Sequence, residues 1–383
     1  MKCHGINLAT AEQVEISFEQ LIASVEPLLA ASSSDVCVSP GWIDLQVNGF
    51  AGVDYNSPDS SAEQIAHSVR EMFRTGVTRF FPTVITGAPE QMMAALGNLA
   101  RAKRQIPEGA AMEAFHLEGP YISPEGGPRG AHPARWVRPP DLEEFRRFQD
   151  AAEGNIRLVT LSPEWPQAPQ FIESIVNQGV VVSIGHTRAT TGEIADAVSA
   201  GVTLSTHLGN AAHPILPRWN YIWDQLAEDR LAASFIVDGI HLSRSFLNVA
   251  LRAKGLERSI LITDAVMPAA CEPGRYRLGQ VDVELHRDGS VRLLGGTRLA
   301  GSALRMDCAI QTVIREAAVS LRDAVAMATR NPARIGRIPG RQRGLTPGER
   351  ADLVRFRFDE ATRAIFVVET YLDGNRVFAS SSA

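Results

Sequence analysis

Along this 383-residue chain, short apolar runs end in side chains able to bind metal or move protons. One ends in His116-Leu117-Glu118, others in His186 and His207, another in Asp238-Gly239-Ile240-His241, and the last in Asp264. Glu118, His186 and His207 offer one carboxylate and two imidazoles. That donor set suits a catalytic zinc-type site, which keeps a fourth position for water. A divalent ion lowers the pKa of water bound to it toward ~7. Such water needs a base that takes its proton and later passes it to a leaving group. Asp264, the carboxylate closing the last run, suits that role; the bland alternative is a cap on the following loop. Asp238 precedes a glycine and reads equally as a turn former or a chemical group. Six of the nine histidines (His116, His132, His186, His207, His213 and His241) fall in or after these runs, with His116 and His213 the outlying members. A lone histidine is usually structural, but five run ends carrying such groups argue for one shared site.

Lysine informs by its scarcity. Only Lys2, Lys103 and Lys254 occur, and the run Ile156–Leu161 ends in Ser162-Pro163-Glu164. A two-metal centre bridged by a modified strand lysine is therefore not available, nor is Schiff-base chemistry at a strand end.

The elements that must position these groups read as an alternating α/β pattern. Candidate strands are Gly41–Val47, Val77–Thr86, Ala111–Leu117, Ile156–Leu161, Val180–Ile184, Val202–Ser205, Ala233–Val237 and Ser259–Thr263. Continuous apolar runs such as Val-Val-Val-Ser-Ile suit parallel strands buried on both faces. Helix-like segments lie between them: Ser61–Thr75 with Gly76 as its C-cap, Pro140–Glu153, Gln170–Gln178, Thr191–Ala200 and Ser245–Lys254. Met306–Val319 and Leu321–Thr329 close the set. Eight strands with intervening helices predict a (β/α)8 barrel over residues 40–339, and in such barrels catalytic groups sit at the C-terminal strand ends. Residues 1–39 and 340–383 hold short alternating pieces and are expected to form one small β-sandwich domain from both termini.

Composition bounds the rest. Lys+Arg 38 against Asp+Glu 43 gives a net charge of −5 without basic blocks, which argues against nucleic-acid or polybasic membrane binding. No apolar run approaches a membrane span, and the first residues lack the apolar core of a signal peptide. Four scattered cysteines without a Cys-x-x-Cys pair fit free thiols in a reducing, cytoplasmic setting.

As a set, the motifs resemble the N-acetylglucosamine-6-phosphate deacetylases of the amidohydrolase superfamily. The segments are PGWIDLQVNGFAGVDYN (40–56), HLEGPYIS (116–123), RGAH (129–132), SIGHT (183–187), THLGNAAH (206–213), DGIH (238–241), TDA (263–265), LAGSALRMD (299–307), NPA (331–333) and GLTPGERADLV (344–354). Taken in order they span residues 40–354. The resemblance implies one divalent metal per chain on Glu118, His186 and His207, zinc foremost and iron the alternative. It makes Asp264 first the base and then the acid. Where superfamily members carry His-x-His for a second metal, this chain has Gln46 and Asn48, so those positions read as vestigial.

The resemblance also implies substrate contacts. Ala131 and His132 line the sugar site. Asn210 and Ala211 offer backbone N–H groups to phosphate. Arg218 pairs with the 6-phosphate, often across a homodimer interface, so it is expected to reach the neighbouring site. Asp238, Gly239, Ile240 and His241 face substrate, His241 at either the phosphate or the reacting carbonyl. Leu299, Ala300 and Gly301 cover the acetamido group. Two features depart from the family: Gly209 replaces an aromatic, and the segment 213–226 is rich in aromatics. Trp219, Tyr221 and Trp223 there suit sugar stacking, a subunit interface or core packing. The expected reaction is hydrolysis of N-acetylglucosamine-6-phosphate to glucosamine-6-phosphate and acetate. The same machinery would serve another N-acyl amino sugar or N-acyl compound; a non-catalytic sugar-binding barrel is disfavoured by the complete ligand set and Asp264.

Overall fold

A computed structural model of the chain describes residues 1–28, 35–278 and 281–381. Eight parallel strands form the central sheet in strict sequence order: Trp42–Val47, Val77–Ile85, Phe115–Glu118, Ile156–Leu161, Val181–Ile184, Leu204–Ser205, Ala232–Ile236 and Ser259–Ile262. Every residue of the first, third, fifth, seventh and eighth strands is buried, as continuous apolar runs covered by helices require. The ring closes where the first strand meets the eighth, through a parallel bridge between Val47 and Ala265. The Asp264 N–H donates to the Gln46 carbonyl at 3.0 Å, and the Asn48 N–H to the Ala265 carbonyl at 2.7 Å. Beneath that bridge, buried Asp44 accepts from the Thr263 hydroxyl at 2.6 Å.

The predicted helices form with shifts of a few residues. Ala62–Phe73 starts from a capping box of Ser61 and Gln64, and Thr191–Ser199 from one of Thr190 and Glu193. The C-cap of the first is Arg74; Gly76, with φ of +83°, makes the turn two residues further on. The helix Pro89–Gln105 has no counterpart among the sequence expectations, because Gly97 and a run of polar residues blur its period. The start expected at Ala111 for the third strand is instead a 3-10 turn, Pro107–Ala111.

Both chain ends build one seven-stranded sheet, ordered 375–379, 365–372, 353–358, 36–40, 2–7, 12–18 and 22–27. Cys3, Val14, Ile16, Phe18, Val38, Leu353 and Tyr371 form its core. Buried Asp352 ties it to the barrel, accepting from Arg79 Nε at 2.8 Å and from Arg341 Nη1 at 2.5 Å.

A second addition follows the eighth strand. Gly274–Leu278, Val281–Leu285, Ser290–Leu293 and Leu299–Ser302 pair antiparallel in order, over a core of Val266, Val283, Leu285, Val291 and Ala300. The last of them bridges Ala265 through Ser302, so this sheet grows out of the barrel seam. Apart from the loop Leu299–Gly301, the sequence reading assigned nothing here, although alternation and the Asp288-Gly289 turn are hairpin signals.

Candidate active site

Glu118 ends the third barrel strand, and His116 two residues earlier faces the same interior. His186 and His207 follow the fifth and sixth strands in left-handed backbone conformations, with φ of 50° and 33°. Asp264 follows the eighth with φ of 50°. Left-handed geometry at non-glycine residues carries a local cost, tolerated where surrounding contacts over-determine it.

These residues converge. The Oε1 atom of Glu118 lies 3.1 Å from His186 Nε2 and 3.0 Å from His207 Nε2, and the two imidazole nitrogens lie 3.1 Å apart. All three side chains are buried. Bonds of about 2.0–2.1 Å to a tetrahedral ion put its ligand atoms about 3.3 Å apart, close to these spacings. The hydrogen-bond pattern supports the same fit. His186 Nδ1 sits 3.0 Å from the Pro128 carbonyl, which only accepts, so Nδ1 carries the proton and Nε2 presents a lone pair. Two imidazole nitrogens and a carboxylate oxygen crowded together have one natural complement, a shared cation. Burial raises the Glu118 carboxyl, but the two imidazoles beside it hold it well below the usual carboxylate range.

Gln46 and Asn48 are not idle in this site. Gln46 Nε2 donates to Glu118 Oε1 at 2.9 Å and to Asp264 Oδ1 at 3.0 Å. Asn48 Nδ2 donates to Asp264 Oδ1 at 2.7 Å. Burial, reinforced by the nearby Glu118 charge, pushes the Asp264 carboxyl up to about 6. Asp44 continues the same strand face two residues before Gln46, and burial pushes it up to about 7. The sequence reading missed it; an aspartate inside an apolar strand was the available signal.

Asp238 both shapes a turn and contacts His241. Its Oδ1 accepts the N–H groups of Ile240 and His241, each at 2.8 Å, shaping the turn through Gly239. Its Oδ2 lies 2.6 Å from His241 Nδ1, which leaves Nε2 for other contacts. His132 packs edge-on against His186, ring centroids 4.4 Å apart, with Nδ1 2.8 Å from the Thr86 hydroxyl. Ala131 beside it is exposed. Leu299, Ala300 and Gly301 lie on the strand that bridges the seam.

Other expected members lie elsewhere or behave differently. His116 is one layer down in the barrel, its Nε2 2.7 Å from the Thr160 hydroxyl, and burial lowers it to about 4. His213 sits between the Tyr221 hydroxyl at 3.1 Å and Glu125 at 3.1 Å, away from the metal donors. The Asn210 N–H and side-chain amide both turn back onto the His207 carbonyl, at 3.0 and 3.1 Å. That backbone bond closes a β-turn of His207 to Asn210, so the Asn210 N–H is already engaged by protein in this structure. Ala211, with φ of 47°, keeps its N–H without an acceptor among the described residues. The aromatic-rich segment ends as the helix Tyr221–Ala227, with Tyr221 buried. Ile215, Trp219 and Trp223 stand 87%, 83% and 54% exposed, and Arg218 among them is exposed with no ion pair among the described residues.

Residues 37–377 match the model of the amidohydrolase family. An N-acetylglucosamine-6-phosphate deacetylase of Bos taurus is 35% identical over 358 residues, covering 90% of this chain and 84% of its own. An N-acetylgalactosamine-6-phosphate deacetylase of Escherichia coli O157:H7 is 32% identical, covering 87% of this chain and 88% of its own. The solved structure of a mutant N-acetyl-D-glucosamine-6-phosphate deacetylase from Mycobacterium smegmatis, in complex with N-acetyl-D-glucosamine-6-phosphate, superimposes with a TM-score of 0.85. It shares 30% identity, over 96% of this chain and 94% of that one. A buried imidazole–carboxylate donor set at the strand ends of a parallel barrel, matched over nearly its whole length, means that the chain belongs to the N-acetylglucosamine-6-phosphate deacetylase branch of the amidohydrolase family.

Proposed function

We propose that the protein hydrolyses the acetamido group of N-acetylglucosamine-6-phosphate, releasing acetate and glucosamine-6-phosphate. The observation that carries this reading is the hydrogen-bonded link from Glu118 through Gln46 to Asp264, which supports a proton-transfer role for Asp264 beside a metal held by Glu118, His186 and His207. Glu118, His186 and His207 would hold one divalent ion, zinc by their donor chemistry and iron(II) as the second choice. When bound, it supplies Lewis-acid polarisation of the amide carbonyl and makes water more acidic.

The chain's own groups do the rest. Asp264 takes a proton from the attacking water as the oxygen–carbon bond forms. It then gives that proton to the amine nitrogen as the carbon–nitrogen bond breaks. Its Oδ1 is held by two amide donors, which leaves Oδ2 for the transfer. Asp238 fixes His241 through Nδ1, and His241 Nε2 then serves the substrate carbonyl or phosphate. Ala131, His132, Leu299, Ala300 and Gly301 line the sugar and its acetamido group, and Ala211 offers its N–H to phosphate.

Arg218 is assigned to the 6-phosphate, which its planar guanidinium can meet with two parallel hydrogen bonds. Its exposed apolar neighbours Ile215, Trp219 and Trp223 favour a homodimer in which Arg218 reaches the partner's site. Four free cysteines support a reducing, cytoplasmic setting. Among the described residues no helix is long and apolar enough to cross a membrane.

A second reading keeps the mechanism and exchanges the sugar for its galacto epimer, supported by the similarity to the Escherichia coli O157:H7 protein. Acetate release from both epimers, phosphorylated and unphosphorylated, on metal-analysed protein tests both readings. Faster turnover of the gluco 6-phosphate supports the first, preference for the galacto 6-phosphate supports the second, and no acetate from any of them overturns both.

A further inference from the structure

The opposite end of the barrel holds a cavity rich in positive charge. It measures about 310 Å³ and is lined by Arg230, Arg258, Arg334 and Arg337, with Asp229 the one carboxylate among its described lining residues. Thr203 and Ala232 set its place, because Ala232 begins the seventh strand and Thr203 immediately precedes the sixth. Arg258 immediately precedes the eighth strand. The cavity therefore opens at the N-terminal strand ends. From Arg258 to Asp264 the chain runs the length of that strand, roughly 20 Å at about 3.3 Å per residue. No group of the catalytic mouth can reach it.

The charges in the cavity are unequally answered. Arg230 is paired, its Nη2 2.8 Å from Glu228. Arg258 shares its guanidinium between Asp229 Oδ1 at 2.9 Å and the Lys254 carbonyl at 2.8 Å. Arg334 donates to the Glu257 carbonyl at 2.5 Å and meets no carboxylate among the described residues. Arg337 has no side-chain partner among them, and its backbone sits at φ of 53° although it carries a β-carbon. Two guanidinium groups thus face one concavity without a carboxylate partner among the described residues, and a cavity of this volume takes a small metabolite. Planar forks of this kind match phosphate oxygens in geometry and charge.

We propose that this basic cavity at the N-terminal end of the barrel binds the phosphate group of a small phosphorylated metabolite, at a site separate from the catalytic mouth. Arg334 and Arg337 are its principal ligands, and Arg258 completes the cradle.

Calorimetric titration of the metal-loaded protein with inorganic phosphate tests the assignment, with sodium chloride holding ionic strength constant. Three variants are compared with the parent: Arg337→Gln, the double variant Arg334→Gln/Arg337→Gln, and Arg218→Gln. Both arginines of the double variant are exposed, so folding and acetate release are expected to survive. The proposal expects phosphate affinity to fall at least about tenfold in the double variant, by a smaller factor in Arg337→Gln, and to be retained in Arg218→Gln. Unchanged affinity in the double variant overturns it. So does binding lost only in Arg218→Gln, which would put the phosphate at the catalytic mouth. Absence of binding by the parent protein beyond chloride also overturns it.

Discussion

Asn48 donates its side-chain amide to Asp264 Oδ1 at 2.7 Å, across the seam where the first and last barrel strands meet. Gln46 adds a second N–H to the same oxygen at 3.0 Å. A carboxylate so held has one oxygen anchored and one free, an arrangement suited to repeated proton transfer.

The pH dependence of turnover follows from that arrangement. With the carboxyl at about 6, Asp264 is mostly ionised at neutral pH, and a bound cation would lower it further. Turnover is expected to fall on the acid side, with an inflection at or below about pH 6. Hydrogen bonds to the ionised form keep a pKa down. Asn48→Ala removes one such donor, so the acid limb should move to higher pH and kcat should drop severalfold. A profile with its acid limb unmoved would separate Asn48 from the function of Asp264.

Replacing the carboxylate tests its role directly. Asp264→Asn should reduce kcat by about 10²–10⁴-fold, the usual span for a lost general acid–base. Metal content should stay near that of the parent, since the three donors are untouched. Loss of metal in this variant would instead make Asp264 a ligand.

Removing a metal donor should have the complementary signature. In His186→Ala or Glu118→Gln, elemental analysis should find metal well below one per chain, and acetate release should fall with it. A chelator should inactivate the parent protein, with zinc restoring activity.

For the phosphate contact, Arg218→Ala should raise KM for the phosphorylated sugar at least about tenfold while leaving kcat within a few-fold. Weak turnover of the unphosphorylated sugar should not change. Equal effects on both sugars would move Arg218 away from phosphate.

The joint between the barrel and the terminal sheet makes a stability prediction. Burial alone would raise Asp352, but the guanidinium groups of Arg341 and Arg79 overcome this and hold it at about 2. A depressed carboxylate contributes stability that is fully present above its unfolded pKa of about 3.9 and is lost as pH falls from there toward 2. Asp352→Asn leaves Arg341, itself buried, without its ionised partner. The expected cost is about 3–5 kcal/mol in chemical denaturation at pH 7, shrinking as the comparison is made at lower pH.

Much of the barrel was readable because its strands are continuous apolar runs ended by functional side chains. Glu118, His186, His207 and Asp264 could be named from position alone, since each follows such a run. What escaped were features whose signal is not local. Gln46 and Asn48 read as remnants of a second metal site, because nothing in sequence says that amides on the first strand touch a carboxylate on the last. Asp44 stood out inside its apolar strand, but its partner Thr263 lies 219 residues away. The four-stranded addition after Asp264 was missed because its strands are only four or five residues long and half exposed. The aromatic segment near Arg218 could be flagged but not resolved. Burial of Tyr221 and exposure of Trp219 depend on what packs around them, not on residue type.

The seam also bears on how the protein comes into being. Gln46 and Asp264 are separated by 218 residues, so on the ribosome the first strand emerges long before its partner exists. At about 5–20 residues per second, that interval is roughly 10–45 s, during which a buried apolar strand has an unpaired edge. The nascent chain therefore acquires Glu118, His186 and His207 before Asp264, and Asp264 is set in place by the same closure that completes the ring. A ribosome stalled before the eighth strand would hold Glu118, His186 and His207 but not Asp264, so the appearance of activity would date the moment of ring closure.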